Sequence, residues 1–337
     1  MTVNDKTLQN VYIIDNNGVK RRIKRIYIGV NGKAKKIADT GLTLGKAYKQ
    51  PTPLSQTRGS LAATSIGDYA LFGGGIYGVY NGNNANYYSS SVVDAYDTSL
   101  VRTTPTPLSQ ARDEFAATSI GNYALFGGGG YTDITRSRVV DAYDTSLVRT
   151  TPTPLSRARY RLSATSIGNY ALFGGGYDSS SSSSVVDAYD TSLVRTTPTP
   201  LRYSKYSLAA TSIGDYALFG GGLDGTVSSV VDAYDTSLVR TTPTPLSQAR
   251  QYLAATSIGN YALFGGGINS SYKYDVVDAY DTSLVRTTQT SLSQSRGVLA
   301  ATSIGDYALF GGGYYFSSPH SYHLDTVDAY SLQNILI

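Results

Sequence analysis

The 337-residue chain has no cysteine, no tryptophan, one methionine and two histidines. Without cysteine there is no disulfide framework, no thiolate nucleophile and no sulfur-ligated metal, and cysteine usage says nothing about compartment. Two histidines leave little material for imidazole acid–base work or metal ligation. No run of 18 apolar residues occurs, so no membrane-spanning helix is expected. The opening residues, MTVNDKTLQNVYIIDNNG, lack a basic stretch followed by an apolar one, so no secretory signal is read. No window carries a helical period of apolar residues.

Tyrosine (30), glycine (35) and repetition are abundant instead. Glycine triplets begin at Gly73, Gly127, Gly174, Gly220, Gly265 and Gly311, at spacings of 54, 47, 46, 45 and 46 residues. Around each lies an almost unchanged framework, AATSIG(D/N)YALFGGG, followed by VVDAYDTSLVRTTPTPLSQAR. A period in the forties with short β-branched and aromatic runs predicts propeller blades. Each unit reads as four strands: LAATSI, YALFGG, VVDAY and LVRTT. Alanine, threonine and serine in the first suit an innermost strand crowded near an axis. Leu and Phe of the second suit packing between blades, and the glycines suit close approach of a neighbouring backbone or ring. A phosphate-cradling role for the triplets is disfavoured, because no lysine follows and no helix opens.

Hydrophobic residues make up 41% of the chain, enough for a sizeable core. Charge divides unevenly. Residues 1–50 hold eleven Lys/Arg against three Asp, out of 28 basic and 24 acidic residues in all, so a basic head precedes a slightly acidic body. Within the head, VYIIDNNGVKRRI and RIYIGVNGKAKKI each place Asn-Gly between alternating apolar residues, which predicts two β-hairpins over residues 1–43. Nucleic acid is not the expected partner of this head, whose charge suits the solvated face of a small β module.

The order Arg, apolar strand, Y-x-L-F-G-G, V-D-A-Y-D, P-L-S-Q-A-R resembles the kelch repeat over residues 44–330. The resemblance implies an all-β, six-bladed propeller over residues 44–337 behind the N-terminal hairpin module. One departure is that the tryptophan usual in strand four of that family is replaced by Val101, Arg102 or Thr103 and their equivalents. Some kelch propellers are copper radical oxidases, but their Cys–Tyr cofactor has no counterpart in a cysteine-free chain. The phrase IKRIYIGVNGKAKKI is similar to attachment segments of structural proteins in phages of Firmicutes. That resemblance implies a virion-borne receptor-binding protein, made in the bacterial cytoplasm and held to a phage tail by its N-terminal module. A bacterial scaffold, cytoplasmic or at the cell surface, is the alternative. Closure of the ring has two readings: residues 44–50 supply the outer strand of the last blade, or SLQNILI does.

The framework leaves two segments per repeat free to vary: the stretch between strands two and three, and the residues after the Arg that precedes strand one. Successive strands of a blade are antiparallel, so both segments fall on one face of the disc. Fifteen of the 30 tyrosines lie there, among Ser, Gly and Asn, a mixture that paratopes use because tyrosine gives large contact area at low entropic cost. The residues expected to bind are Tyr77, Tyr80, Tyr87 and Tyr88; Tyr131, Arg136 and Arg138; Tyr160, Arg161, Tyr177 and Asp178; Tyr203, Tyr206 and Asp224; Tyr252, Tyr272 and Tyr274; and Tyr314, Tyr315, Phe316 and Tyr322. Their expected ligand is a host-surface glycan or protein.

Arg58, Arg112, Arg159, Lys205, Arg250 and Arg296 form a second set, expected either to ring the channel mouth or, as the favoured reading, to be tied to a neighbouring blade's Asp or to carbonyl groups. Asp94, Asp97 and their equivalents are expected to serve turns and strand ends. His320, His323 and Asp325 share one loop, read as solvent-exposed rather than as a metal site, and no cofactor is expected. Asp113, Glu114, Asp133, Asp178, Asp224 and Asp275 lie on the variable face. No pair among them is marked by position as the two carboxylates of a glycoside hydrolase, so a non-catalytic protein is expected, with glycan processing as the alternative.

Overall fold

The computed structural model describes strands within residues 12–39 and residues 52–332, apart from 82–83, 132–134 and 318–319. The chain divides into two compact units, Met1–Pro51 and Thr52–Ile337. In the first, Tyr12–Ile14 pairs antiparallel with Lys20–Arg22, and Arg25–Val30 pairs with Lys33–Asp39. The Asn-Gly turns themselves and residues 44–50 and 333–337, to which closure was assigned, lie outside the described residues.

The second unit is a six-bladed β-propeller. Its third blade shows the pattern: Ser163–Ile167, Tyr170–Gly174, Val186–Asp190 and Arg195–Thr196 hydrogen-bond in sequence order as one antiparallel sheet. The AATSI strands of consecutive blades lie side by side around the axis, where their small side chains permit the crowding that the sequence predicts.

Blades pack through one repeated interface. Leu71, Val93 and Ala95 of the first blade bury against Phe126 and Tyr143 of the second, and Leu125, Val140 and Ala142 of the second bury against Phe173 and Tyr189 of the third. Each Phe stands edge-on to the Tyr of its own blade, as in Phe126–Tyr143 at 5.9 Å between centroids and 90° between planes. The first glycine of each of the first five triplets makes room for the next blade's Phe: a Cβ on Gly127 would sit 2.7 Å from a Phe173 ring carbon.

Among the described residues five such interfaces are complete, and the sixth and first blades form no such contact. Ile304 is 58% exposed and Val327 59%, whereas Ile213 and Val231, at the same places in the fourth blade, are 3% and 0% exposed. In the first blade Phe72 and Tyr96 are half-buried, although Phe173 and Tyr189 are fully buried. Among the described residues no neighbouring ring approaches Gly311, which meets Val327 of its own blade at 3.5 Å.

Candidate functional site on the variable face

The two variable segments of each repeat come together through the backbone. The residue after each triplet forms an antiparallel bridge with the residue after the blade's Arg or Lys: Gly59 with Ile76, Asp113 with Gly130, Tyr160 with Tyr177, Tyr206 with Leu223, Gln251 with Ile268 and Gly297 with Tyr314. Beyond it the longer segment folds into its own hairpin or turn. The first blade carries the longest, Ile76–Asn81 with Asn84–Ser89, and the second a two-residue pairing of Gly130–Tyr131 with Thr135–Arg136. In the third and fifth, single bridges Tyr177–Ser182 and Ile268–Lys273 suffice.

One further position per blade lines the channel mouth. Ser60, Glu114, Arg161, Ser207, Tyr252 and Val298 surround a cavity of about 270 Å³ together with the Leu or Phe that follows each. All six are left-handed, with φ between 50° and 56°, a conformation that costs a non-glycine residue about 1 kcal/mol. Their backbones form a chain of hydrogen bonds in which each amide donates to the preceding blade's carbonyl: Glu114 to Ser60, Arg161 to Glu114, Ser207 to Arg161, Tyr252 to Ser207 and Val298 to Tyr252, at 2.8–3.2 Å. The framework holds the backbone and leaves the side chain free to differ. Leu147, a constant residue of the framework that is also left-handed, packs against the core instead.

Aromatic and cationic groups gather beside this mouth. The Tyr177 ring lies 5.9 Å from that of Tyr160 and 5.2 Å from that of Tyr206, both edge-on. Arg136 stacks over Tyr160 at 3.9 Å, and Arg161 lies 5.2 Å from Tyr160 and 5.9 Å from Tyr252. Arg161 is tied to Glu114 at 2.9 Å across the boundary of the second and third blades. Desolvation, followed by the neighbouring Tyr252, raises the Tyr206 phenol. Elsewhere Tyr77 packs on Tyr88 at 5.8 Å and Tyr314 on His323 at 4.3 Å.

Of the residues expected to bind, Tyr87, Tyr88, Tyr131, Tyr203 and Tyr272 are exposed, as are Arg138 and Asp224. Tyr252, Tyr274 and Tyr315 are half-buried, and the Tyr274 hydroxyl accepts a bond from the Asn269 amide. The side chains of Tyr80, Phe316, His320 and Tyr322, and the whole of Asp133, lie outside the described residues. The carboxylates have local partners. Asp178 accepts from the Ser180 and Ser181 amides, which hold it below its usual range; Asp113 accepts from Ser89, and Asp224 from Ser204. Among the described residues no three His, Asp or Glu form a metal-binding group.

Arg58, Arg112, Arg159, Lys205, Arg250 and Arg296 do not ring the mouth. Each is buried within its own blade and ion-paired to the Asp of strand three, as Arg112 is to Asp141 and Arg159 to Asp187 at 2.6 Å, and Lys205 to Asp232 at 3.0 Å. Each also donates to the carbonyl of the strand-two Phe, as Arg159 does to Phe173 at 3.1 Å. They staple the incoming chain to strands two and three. Burial lowers Arg112 and Arg159 to about 10 against the attraction of Asp141 and Asp187, so both stay charged at neutral pH. Asp94, Asp141, Asp187, Asp232 and Asp278 are therefore buried counter-ions, and Asp328 of the sixth blade is a half-buried one. Asp97 and its equivalents do serve turns: Asp97 accepts from the Ser99 and Val101 amides.

No protein-family model matches this chain, and no curated protein matches it.

Proposed function

We propose that the propeller is a non-catalytic recognition module that binds a bacterial surface molecule, glycan or protein, through the face carrying the variable segments. On this reading its repeat is kelch-like and the basic N-terminal hairpins attach it to a phage tail or similar particle. The observation that carries the proposal is convergence. In each of the six blades the two variable segments are bridged to each other, while the described turns at the opposite strand ends repeat almost unchanged. Rigid scaffolds that display divergent loops are built for binding, and five exposed tyrosines there supply contact area.

The test is binding of the full chain to whole bacterial cells and to an array of bacterial surface glycans. Changing Tyr87, Tyr131, Tyr203 and Tyr272 together to Ala should reduce binding by at least about tenfold at an unchanged unfolding midpoint. Undiminished binding by this variant overturns the assignment of the face. Binding to neither cells nor glycans, with capture of a defined intracellular protein, transfers the face to the scaffold reading.

A further inference from the structure

Arg136 differs from the other cations near the mouth. It ends the second blade's small hairpin and is half-buried. Its guanidinium carbon lies over the Tyr160 ring, 3.9 Å from the centroid, a contact that restrains the group. Among the described residues no carboxylate pairs with it, whereas Arg157 has Asp178, Arg161 has Glu114 and each blade cation has its strand-three Asp. Its Nε is buried without a hydrogen-bond partner. A half-buried cation with no carboxylate beside it among the described residues has hydrogen-bonding capacity that an arriving anion can use.

The surroundings specify what kind of anion. Arg136 lines a cavity of about 410 Å³ with Gln110, Ala111, Tyr131, Thr135 and Ser137. Tyr131 is 51% exposed there. Ser137 donates to the Gln110 carbonyl oxygen at 2.9 Å, and the Gln110 amide nitrogen has no acceptor among the described residues. One restrained guanidinium, one open aromatic face and a set of hydroxyl and amide groups match a sugar ring bearing a carboxylate: an anion, an apolar C–H face and hydroxyls in one rigid body.

We propose that this cavity is a subsite for a carboxylate-bearing sugar, a uronate or a sialic-acid type of residue, within an acidic surface polysaccharide. Arg136 takes the carboxylate, Tyr131 carries the ring face, and Gln110 with Thr135 meets the hydroxyls. The inference rests on the recognition reading above and narrows it to acidic glycans.

The test titrates the full chain with an oligogalacturonate, a hyaluronan tetrasaccharide and sialyllactose, each beside its methyl ester, and with tetraglutamate. At least one free acid should bind, and esterification should weaken it roughly tenfold, as expected for loss of a charge-assisted contact. Arg136→Gln should weaken it equally, Arg136→Lys should fall between because it lacks the planar fork, and Tyr131→Ala should weaken acid and ester alike. Each variant should unfold at the wild-type midpoint. No binding by any acid, equal binding of acid and ester, or an unaffected Arg136→Gln overturns the subsite. Tetraglutamate bound with the same Arg136 dependence overturns the sugar class in favour of an acidic peptide. Cell binding through the exposed tyrosines without binding of any acid sinks this subsite alone, whereas loss of both sinks the recognition reading with it.

Discussion

At the residue scale, the same side chains carry different burdens according to what lies opposite them. Tyr143, Tyr189, Tyr234, Tyr280 and Tyr330 are buried, and each donates its hydroxyl to a threonine carbonyl at 2.7–2.8 Å. Burial is the main cause that raises each phenol above its usual value, and the strand-three Asp adds to it. Each phenol therefore keeps its proton in the fold at a pH where the unfolded chain has begun to lose it. The stability this gives is complete below about pH 10, the unfolded value, and is lost as pH rises further. Titration followed by phenolate absorbance should show these five ionising only with cooperative unfolding. Tyr189→Phe should move the alkaline midpoint upward, and a midpoint unmoved by it refutes the assignment. The blade cations teach a related lesson. Their place before strand one was legible in the chain, but their partner is an Asp of the same blade, about 30 residues away, that only the folded sheet brings to them.

At the element scale, the triplet glycines and the hairpin glycines are not equivalent. Gly174 sits where a Cβ would meet a Phe219 ring carbon at 2.7 Å, and Gly176 has φ of 104° with the Tyr160 carbonyl 3.0 Å from the added atom. Gly225, at the tip of the fourth blade's hairpin, has φ of 65° and nothing within 4 Å. Gly174→Ala should cost about 1–3 kcal/mol by overpacking, and Gly225→Ala no more than about 1 kcal/mol of left-handed strain. Chemical denaturation of the two variants separates these values, and equal costs contradict the packing account. The strands were legible in the chain because their composition repeats six times. So was the convergence of the variable segments, because antiparallel order alone places alternate connections on one face. The left-handed residues of the mouth were not legible as a set. Ser, Glu, Arg, Ser, Tyr and Val share no chemistry, and their common feature is a backbone angle imposed by the bond to the preceding blade.

At the scale of the whole molecule, two copies of the same residue differ. Ile213 is buried in a complete interface, and Ile304 is exposed. Ile213→Ala should cost about 2–5 kcal/mol, whereas Ile304→Ala should cost less than about 1 kcal/mol, as for other exposed positions. Equal losses in thermal or denaturant unfolding would mean that the sixth interface closes in solution as the other five do. The aromatic and cationic cluster also belongs to this scale. Arg136, Tyr160, Tyr177, Tyr206 and Tyr252 come from segments of four successive blades, and the curvature of the ring brings them to one side of the mouth.

The sequence by itself determined the repeat, the four strands of each unit, the blade number and the face on which variation falls. These follow from local composition, from a fixed period and from antiparallel alternation, none of which needs knowledge of distant contacts. Only the tertiary structure decided which Asp each blade cation meets and which side chains gather at the mouth. Each of these depends on pairings between residues far apart in the chain, and the spacing of a repeat carries no information about the side chain it will face.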